Sequence, residues 1–284
     1  MNFSTRFAPS PTGPLHLGHA FSALLAYQAA CDAAGQFHLR IDDLDQSRAR
    51  PEWEAQIYDD LAWLGLEWTT PVMHQSSRLQ VYQDSLYILW DLGVIYPCTC
   101  SRSDIRAAVS APQEGAPLLG PDGVIYPGTC RPAIPLTGPM PDAVLRLDMA
   151  RALAQLSDPL SFEETGTSPE GLSGLIQPTN MITQVGDVVL ARRDMGASYH
   201  LSVVVDDAAQ QISHVIRGQD LFSATQIHVL LQRLLNLPTP VYHHHRLIRD
   251  NAGKRLAKRD DARAISTYRE AGKTPQDIRQ MIGL

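Results

Sequence analysis

No stretch of the 284 residues approaches eighteen uncharged apolar positions in a row, which excludes a membrane-spanning helix of ordinary length. The amino terminus has no basic segment leading into an apolar run and a small-residue cleavage site, so no secretory leader is expected and the cytoplasm is the expected compartment. Cysteine is scarce, at four residues; disulfide scaffolds are short, secreted and cysteine-dense, and this chain is none of these. An excess of positive charge is missing too. Lys and Arg number 24 against 30 Asp and Glu, a formal charge of −6, so bulk electrostatics will not hold nucleic acid without further specificity. Internal repeats and low-complexity segments are absent as well. The length suffices for one or two domains around a large core.

Charge is nevertheless concentrated locally. Near the carboxyl end Arg246, Arg249, Lys254, Arg255, Lys258, Arg259 and Arg263 stand with only Asp250, Asp260 and Asp261 among them, a patch that can meet phosphates while the rest of the surface stays acidic. At the other end, Arg6-Phe7-Ala8-Pro9-Ser10-Pro11-Thr12-Gly13-Pro14-Leu15-His16-Leu17-Gly18-His19 runs into an alanine-rich segment, Ala20 to Ala30. A strand, a turn and a helix start are expected there. The first turn of a helix carries unpaired N–H groups and the positive end of the helix dipole, where the phosphates of ATP can settle. His16 and His19, three apart, share one side of that turn. Gly18 leaves room for a nucleotide, and Pro11 and Pro14 stiffen the approach.

Phe3 to Ala8 and Phe37 to Ile41 read as strands flanking that helix, a right-handed βαβ unit opening a doubly wound sheet. Glu52 to Leu64 and Leu79 to Leu92 have helical apolar spacing, each followed by a glycine that stops it, and read as an αα extension. Between Ala111 and Pro141 eight prolines and five glycines predict a loop-rich insertion. Val185 to Arg192, Tyr199 to Asp206 and Ile212 to Arg217 read as strands, the second with a buried core over Leu201 to Val205. Thr225 to Leu235 reads as a helix. Cys31 is expected as a small buried apolar residue. In His243-His244-His245 neighbours on a strand point to opposite faces, so the run reads as pocket wall and surface, not as a metal site.

The turn from Arg6 to His19 resembles the first signature of class I aminoacyl-tRNA synthetases, in the form found in the glutamyl and glutaminyl enzymes. The resemblance implies an α/β fold of class I synthetase type, a Rossmann nucleotide-binding fold split by a zinc-bearing insertion. The expected division is 1–95 for its first half and 96–184 for an insertion holding the zinc site and contacting tRNA. The second half then spans 185–245, and a lysine loop with carboxyl-terminal helices spans 246–284. The residues Gly253 to Arg259 resemble the second signature of the class, with Arg255 in place of its first lysine and Ala257 in place of its serine. Lys258 remains, and its ammonium can neutralise charge building on the triphosphate as pyrophosphate leaves. The resemblance makes Pro9, His16, Gly18, His19 and Lys258 the expected ATP-binding residues, with His16, His19 and Lys258 catalytic and Mg²⁺ accompanying ATP.

A glutamate substrate wants an arginine fork for its side-chain carboxylate and a carboxylate for its ammonium, with the α-carboxylate left free to attack phosphorus. Arg6 and Arg217 end predicted strands and should point into the crevice; Asp42 can hold the ammonium and Tyr199 can close the pocket. Family members similar to this chain bind glutamate through positions matching Arg6, Ser10, Asp42, Tyr199 and Arg217. Their usual residue at position 42 is glutamate, one methylene longer, so a bridging water is allowed here.

Cys98, Cys100 and Cys130 offer three soft thiolates, and a tetrahedral zinc site requires a fourth ligand. Chemistry alone suggests a histidine or an acid, and three reduced thiols without metal are the alternative. A C-x-C motif followed by Y-x-x-x-C resembles the zinc pattern of the glutamyl-queuosine tRNA(Asp) synthetase family, which implies Tyr126 as the fourth ligand of one structural zinc clipping the proline-rich loop. Only 25 residues follow Arg259, too few for the anticodon-binding domain of a discriminating glutamyl-tRNA synthetase. The family resemblance therefore implies an ATP-dependent monomeric enzyme that attaches glutamate to queuosine at the wobble position of tRNA(Asp), meeting the anticodon stem-loop. Three other readings stay open: a glutamyl-tRNA synthetase charging a tRNA 3′ end, a small-molecule ligase such as pantothenate synthetase, and a non-catalytic RNA-binding paralogue.

Overall fold

The computed structural model describes residues 2–109, 119–166, 174–249 and 263–284. Strand β1 (Ser4–Phe7) is buried at every position and pairs in parallel with β2 (Gln36–Ile41), Phe7 opposite Leu39. Helix α1 (Leu17–Asp32) makes the crossover, and its small buried residues Ala20, Ala23, Ala26 and Ala30 let it lie close to the sheet. Gly35 ends that crossover, because a Cβ there would stand 2.3 Å from the Phe3 carbonyl oxygen. Cys31 is exposed near the end of α1, not buried as expected.

Helix α2 (Pro51–Trp63), with Pro51 in its first turn, leads to β3 (Thr69–His74), which pairs in parallel with β2. Helix α3 (Leu79–Asp91) follows. The expected αα extension thus has a strand between its helices. Pro71 and the polar flanks hid that strand; at the sheet edge a missing ladder donor is tolerated.

The next sheet is antiparallel: β4 (Ile95–Cys98), then β7 (Val144–Leu147), then β8 (Val189–Ala191). Between β4 and β7 lie α4 (Arg102–Val109) and the small hairpin of β5 (Leu119–Gly120) and β6 (Gly123–Val124). Helices α5 (Met149–Ala154) and α6 (Pro178–Asn180) precede β8, which the sequence places in the second half and which hydrogen-bonds to an insertion strand.

Tyr199 to Asp206 is not a strand but the start of helix α7 (Tyr199–Ala209). Every residue from His200 to Asp207 is buried, because α7 lies among α3, α8 and β8. An element buried all round has no polar face to reveal its period, so helix and strand read alike. Strand β9 (His214–Gly218), helix α8 (Thr225–Leu234) and strand β10 (Val241–His245) follow, with β10 parallel to β9. The Ser213 N–H donates to the Ser4 carbonyl at 3.0 Å and the Ser4 N–H to Ser213 Oγ at 2.8 Å, which sets β9 beside β1. The strand order β3-β2-β1 thereby continues into β9-β10. The chain's order reverses between β1 and β9, the place where doubly wound folds open a ligand crevice.

One core gathers Leu24, Leu39, Ile41 and Leu61 with Ile265 and Ile278 from α9 (Ile265–Glu270) and α10 (Pro275–Ile282). A second gathers Tyr82, Trp90, Leu147, Val204 and Leu230. No helix among the described residues is long and apolar enough to cross a membrane.

Candidate functional site

A cleft of about 360 Å³ opens at the carboxyl ends of β1 and β9. Arg6, His16, Gly18, His19 and Asp42 line it from one half, and Tyr199, Arg217 and His245 from the other. A neighbouring hollow of about 460 Å³ shares Phe7, Ala8, His19, Asp42 and Tyr199 with it and adds Pro9 and Ser10. Every expected amino-acid and nucleotide residue among the described ones therefore lines one of two adjoining spaces. The second signature, Gly253 to Arg259 with Lys258, lies outside the described residues.

The two histidines of the turn cap α1 reciprocally. His16 Nδ1 accepts the Gly18 N–H at 3.1 Å, and His19 Nδ1 accepts the His16 N–H at 3.1 Å. The rings lie 3.7 Å apart between centroids. Because each Nδ1 is an acceptor, each neutral ring carries its proton on Nε2. A side chain on Gly18 would press 3.0 Å from the His16 ring.

Beneath the cleft runs a charge network centred on two residues that the sequence reading missed. Arg6 grips Asp207 with Nε at 2.9 Å and Nη2 at 3.2 Å. Arg40, fully buried on β2, donates from Nη1 to Asp207 Oδ1 at 2.7 Å and from Nε to Asp42 Oδ1 at 2.8 Å. Asp206 accepts from Gln75, Arg78 and Tyr82 at 2.9, 2.6 and 2.7 Å. Burial pushes the Asp207 carboxyl up, but Arg6 and Arg40 outweigh it and hold the group below its ordinary range. At Asp42 burial wins over Arg40, and the carboxyl is raised to about 6. The signal for Asp206 and Asp207 was their place directly after an apolar run, Val203 to Val205, where a bare acid pair needs cationic partners.

Arg217 is buried at the end of β9 and donates to His244 Nε2 at 3.1 Å, His228 Nδ1 at 3.1 Å and Thr225 Oγ1 at 2.8 Å. Tyr199, at the first position of α7, is 38% exposed with its ring edge-on to His228. The histidine run divides as follows: His243 half-buried against Thr165, His244 buried on Glu164, and His245 on the cleft wall with Ser22 Oγ at 2.7 Å.

The sulfurs of Cys98, Cys100 and Cys130 lie within 4.8 Å of one another. The 3.4 Å between the Cys100 and Cys130 sulfurs is too long for a disulfide, which needs about 2.05 Å. Tyr126 Oη stands 3.5 Å from Cys98 Sγ and 3.4 Å from Cys100 Sγ. Zinc–sulfur bonds of about 2.3 Å in a tetrahedron put sulfurs about 3.8 Å apart, so the three thiols and the phenol fit a metal. The Tyr126 hydroxyl, first among several contacts, brings the Cys130 thiol down to about 6. Arg146 adds a cation, donating to Cys98 Sγ at 3.2 Å and lying 3.9 Å over the Tyr126 ring. The lowered Cys130 favours the thiolate that a metal requires. At Cys100 the Tyr126 hydroxyl also lowers the thiol, but burial and the neighbouring sulfurs outweigh it and the group is raised.

Comparison with known proteins shows the family and the fold. Residues 2–116 and 163–284 match the family described as tRNA synthetases class I (E and Q), catalytic domain. The chain is 62% identical over 282 residues to a glutamyl-Q tRNA(Asp) synthetase of Rhodobacter capsulatus, covering 99% of both chains. It is 38% identical over 282 residues to one of Symbiobacterium thermophilum, covering 96% of this chain and 83% of the other. A crystal structure of glutamate-tRNA synthetase from Elizabethkingia anophelis superposes with a TM-score of 0.77 at 24% identity. That likeness establishes the fold; it covers 100% of this chain, which spans 61% of the longer one.

Proposed function

The chain belongs to the class I tRNA synthetases of the glutamyl-Q tRNA(Asp) kind, and on that premise we propose that it activates L-glutamate with ATP and passes the glutamyl group to queuosine at the wobble position of tRNA(Asp). The observation that carries the reading is the convergence of Arg6, Asp42, Tyr199 and Arg217 with the His16–His19 turn on one cleft. Asp42 takes the ammonium and Arg217 the side-chain carboxylate, while Arg6, Ser10 and Tyr199 complete the glutamate pocket. Pro9, His16, Gly18, His19 and Lys258 take the nucleotide, which arrives with Mg²⁺.

An oxygen of the α-carboxylate attacks the α-phosphorus. A carbon-borne oxygen–phosphorus bond forms as the bond to the bridging oxygen breaks, and pyrophosphate leaves with that electron pair. No general base is needed, since the attacking carboxylate is already ionised. Catalysis is then positioning by the two halves of the sheet and charge stabilisation by His16, His19 and Lys258. A hydroxyl of the cyclopentenediol of queuosine next attacks the glutamyl carbonyl; an ester bond forms, AMP leaves with the electron pair, and the hydroxyl proton passes to phosphate or solvent. An anticodon stem-loop suits this step because its wobble base is exposed and can be unstacked. Cys98, Cys100, Cys130 and Tyr126 would hold one structural zinc that clips the insertion loop to β4 when bound. The reading carries with it a monomeric cytoplasmic enzyme.

The test is labelled glutamate with ATP and tRNA(Asp), with and without queuosine, beside tRNA(Glu). Label is expected on queuosine-containing tRNA(Asp) alone. Label on unmodified tRNA(Asp), or equal label on tRNA(Glu), would sink the acceptor assignment.

A further inference from the structure

Three arginines face or underlie the cleft, and they are partnered differently. Arg6 and Arg40 meet carboxylates, at Asp207 and at Asp42 with Asp207. Arg217, as buried as Arg6, makes no ion pair among the described residues. Its donors go to two imidazole nitrogens, to the Thr225 hydroxyl and to the Leu221 carbonyl at 3.3 Å.

A guanidinium only donates and stays charged, so both nitrogens facing it must be bare lone pairs. That fixes the histidine tautomers outward from Arg217. His228, accepting on Nδ1, carries its proton on Nε2, which faces His200 Nδ1 at 3.2 Å. His200 is then protonated on Nε2, 3.6 Å from the Asp122 carboxylate. His244, accepting on Nε2, carries its proton on Nδ1 and donates to Glu164 Oε2 at 2.5 Å. Glu164 is anchored in turn, its Oε1 accepting the N–H groups of His244 at 2.9 Å and Gly166 at 2.8 Å. Burial and then Arg217 hold the His228 imidazole well below the usual histidine range, and the same causes lower that of His244 to about 4. Both rings are uncharged at neutral pH.

We propose that His228 and His244 are specificity-determining positioning residues, uncharged acceptors that hold the Arg217 fork in place without cancelling its charge, so that the cleft takes a substrate with a side-chain carboxylate and rejects the matching amide. A carboxylate at either position would satisfy the same N–H groups but neutralise the receptor, as Asp207 does for Arg6. The imidazole of His244 keeps the Glu164 charge one ring away from Arg217, and the pair His228–His200 does the same for Asp122. Discrimination then rests on a buried charge that only the ligand completes. Sites built around an obligatory polar partner reject the analogue that lacks it far more strongly than a hydrophobic pocket can reject an added group.

The inference rests on the proposed glutamate reading, and calorimetric titration separates the two. L-glutamate, L-glutamine and ATP are titrated in turn into the wild-type chain and into His228→Asn, His228→Leu and His228→Asp. Absence of glutamate binding to the wild type would overturn the functional reading itself. Given binding, asparagine keeps an acceptor where Nδ1 stood and should hold glutamate affinity within about threefold. Leucine leaves a buried charged donor unpaired and should weaken glutamate by about 10- to 100-fold, with ATP affinity unchanged. Aspartate should weaken glutamate at least as much and shrink the glutamate-to-glutamine preference by about tenfold or more. His244→Gln, with an acceptor at the ε position, and His244→Leu repeat the contrast at the second ring should an aspartate variant fold poorly. Leucine and asparagine variants that bind alike, or an aspartate variant with wild-type preference, would overturn the proposal.

Discussion

The Asp42 carboxyl makes the sharpest quantitative test of the proposed amino-acid pocket. Burial disfavours its charge more than Arg40 favours it, and the group is raised from an ordinary 3.8 to about 6, with Asp206 adding repulsion and Arg6 attraction. If Asp42 receives the ammonium of glutamate, only its ionised form binds. The dissociation constant then scales as one plus ten to the power of six minus the pH. Affinity is within about 10% of its limit at pH 7, about twofold weaker at pH 6 and about 11-fold weaker at pH 5. The stability sign runs the opposite way to that of a paired carboxylate. A folded value above the unfolded one contributes stability below about 3.8 and loses it as the pH rises through about 6, so keeping Asp42 charged at pH 7 costs about 3 kcal/mol. The ligand's ammonium relieves that cost, which is why binding and protonation compete. Calorimetric titration with glutamate, free of ATP, at constant ionic strength from pH 5 to 8 reads the curve directly. The ligand's own carboxyls, near 4.3 or below, change little in that window, and the lowered His228 and His244 stay uncharged. Asp42→Asn should bind glutamate at least about tenfold more weakly with a flat profile. A wild-type affinity unchanged between pH 7 and pH 5, or the same slope in the asparagine variant, would refute the reasoning.

Asp207→Asn leaves Arg6 and Arg40 buried without their shared anion, and urea denaturation should register a loss of about 3–5 kcal/mol; an unchanged midpoint would mean the network is not what holds β1 and β2 to α7. Because the folded Asp207 value is lowered, its contribution is present above about 3.8 and disappears as the pH falls through the folded value, so the difference in stability between wild type and variant should shrink as the pH falls below about 3.8. Metal analysis should find about one zinc per wild-type chain, strongly reduced in Cys100→Ser, with a chelator lowering the wild-type melting temperature; wild-type protein purified free of zinc yet equally stable would count against the site. Lys258→Ala should slow glutamate-dependent pyrophosphate exchange by about 100-fold with an unchanged melting temperature, and an unaltered rate would show that the second signature lies elsewhere.

What could be read from the chain alone was whatever is written in neighbouring residues. The turn from Arg6 to His19 is contiguous, so its strand, its helix start and its paired histidines follow from spacing. The cysteine pattern is written in two short pieces, Cys98 with Cys100 and Tyr126 with Cys130, and α2, α3 and α8 carry one polar face that betrays their period. Where chemistry depends on residues far apart, the sequence was silent. Arg6 and Asp207 are 201 positions apart and Arg217 and His244 are 27 apart; the apolar run before Asp206 and Asp207 shows that the acid pair needs cations but not which ones, and nothing local marks His228 as a partner of Arg217. Helix α7 reads as a strand for the same reason: its surroundings, not its own pattern, make it apolar on every side, and β3 escapes notice because only an edge position excuses its proline. The sequence by itself singled out the groups proposed to touch glutamate and phosphate. Only the tertiary structure decided which arginines are already neutralised and which one, held by uncharged histidines, keeps its charge for a ligand, because charge pairing across β1, β2, α7 and β9 is a property of their packing in space.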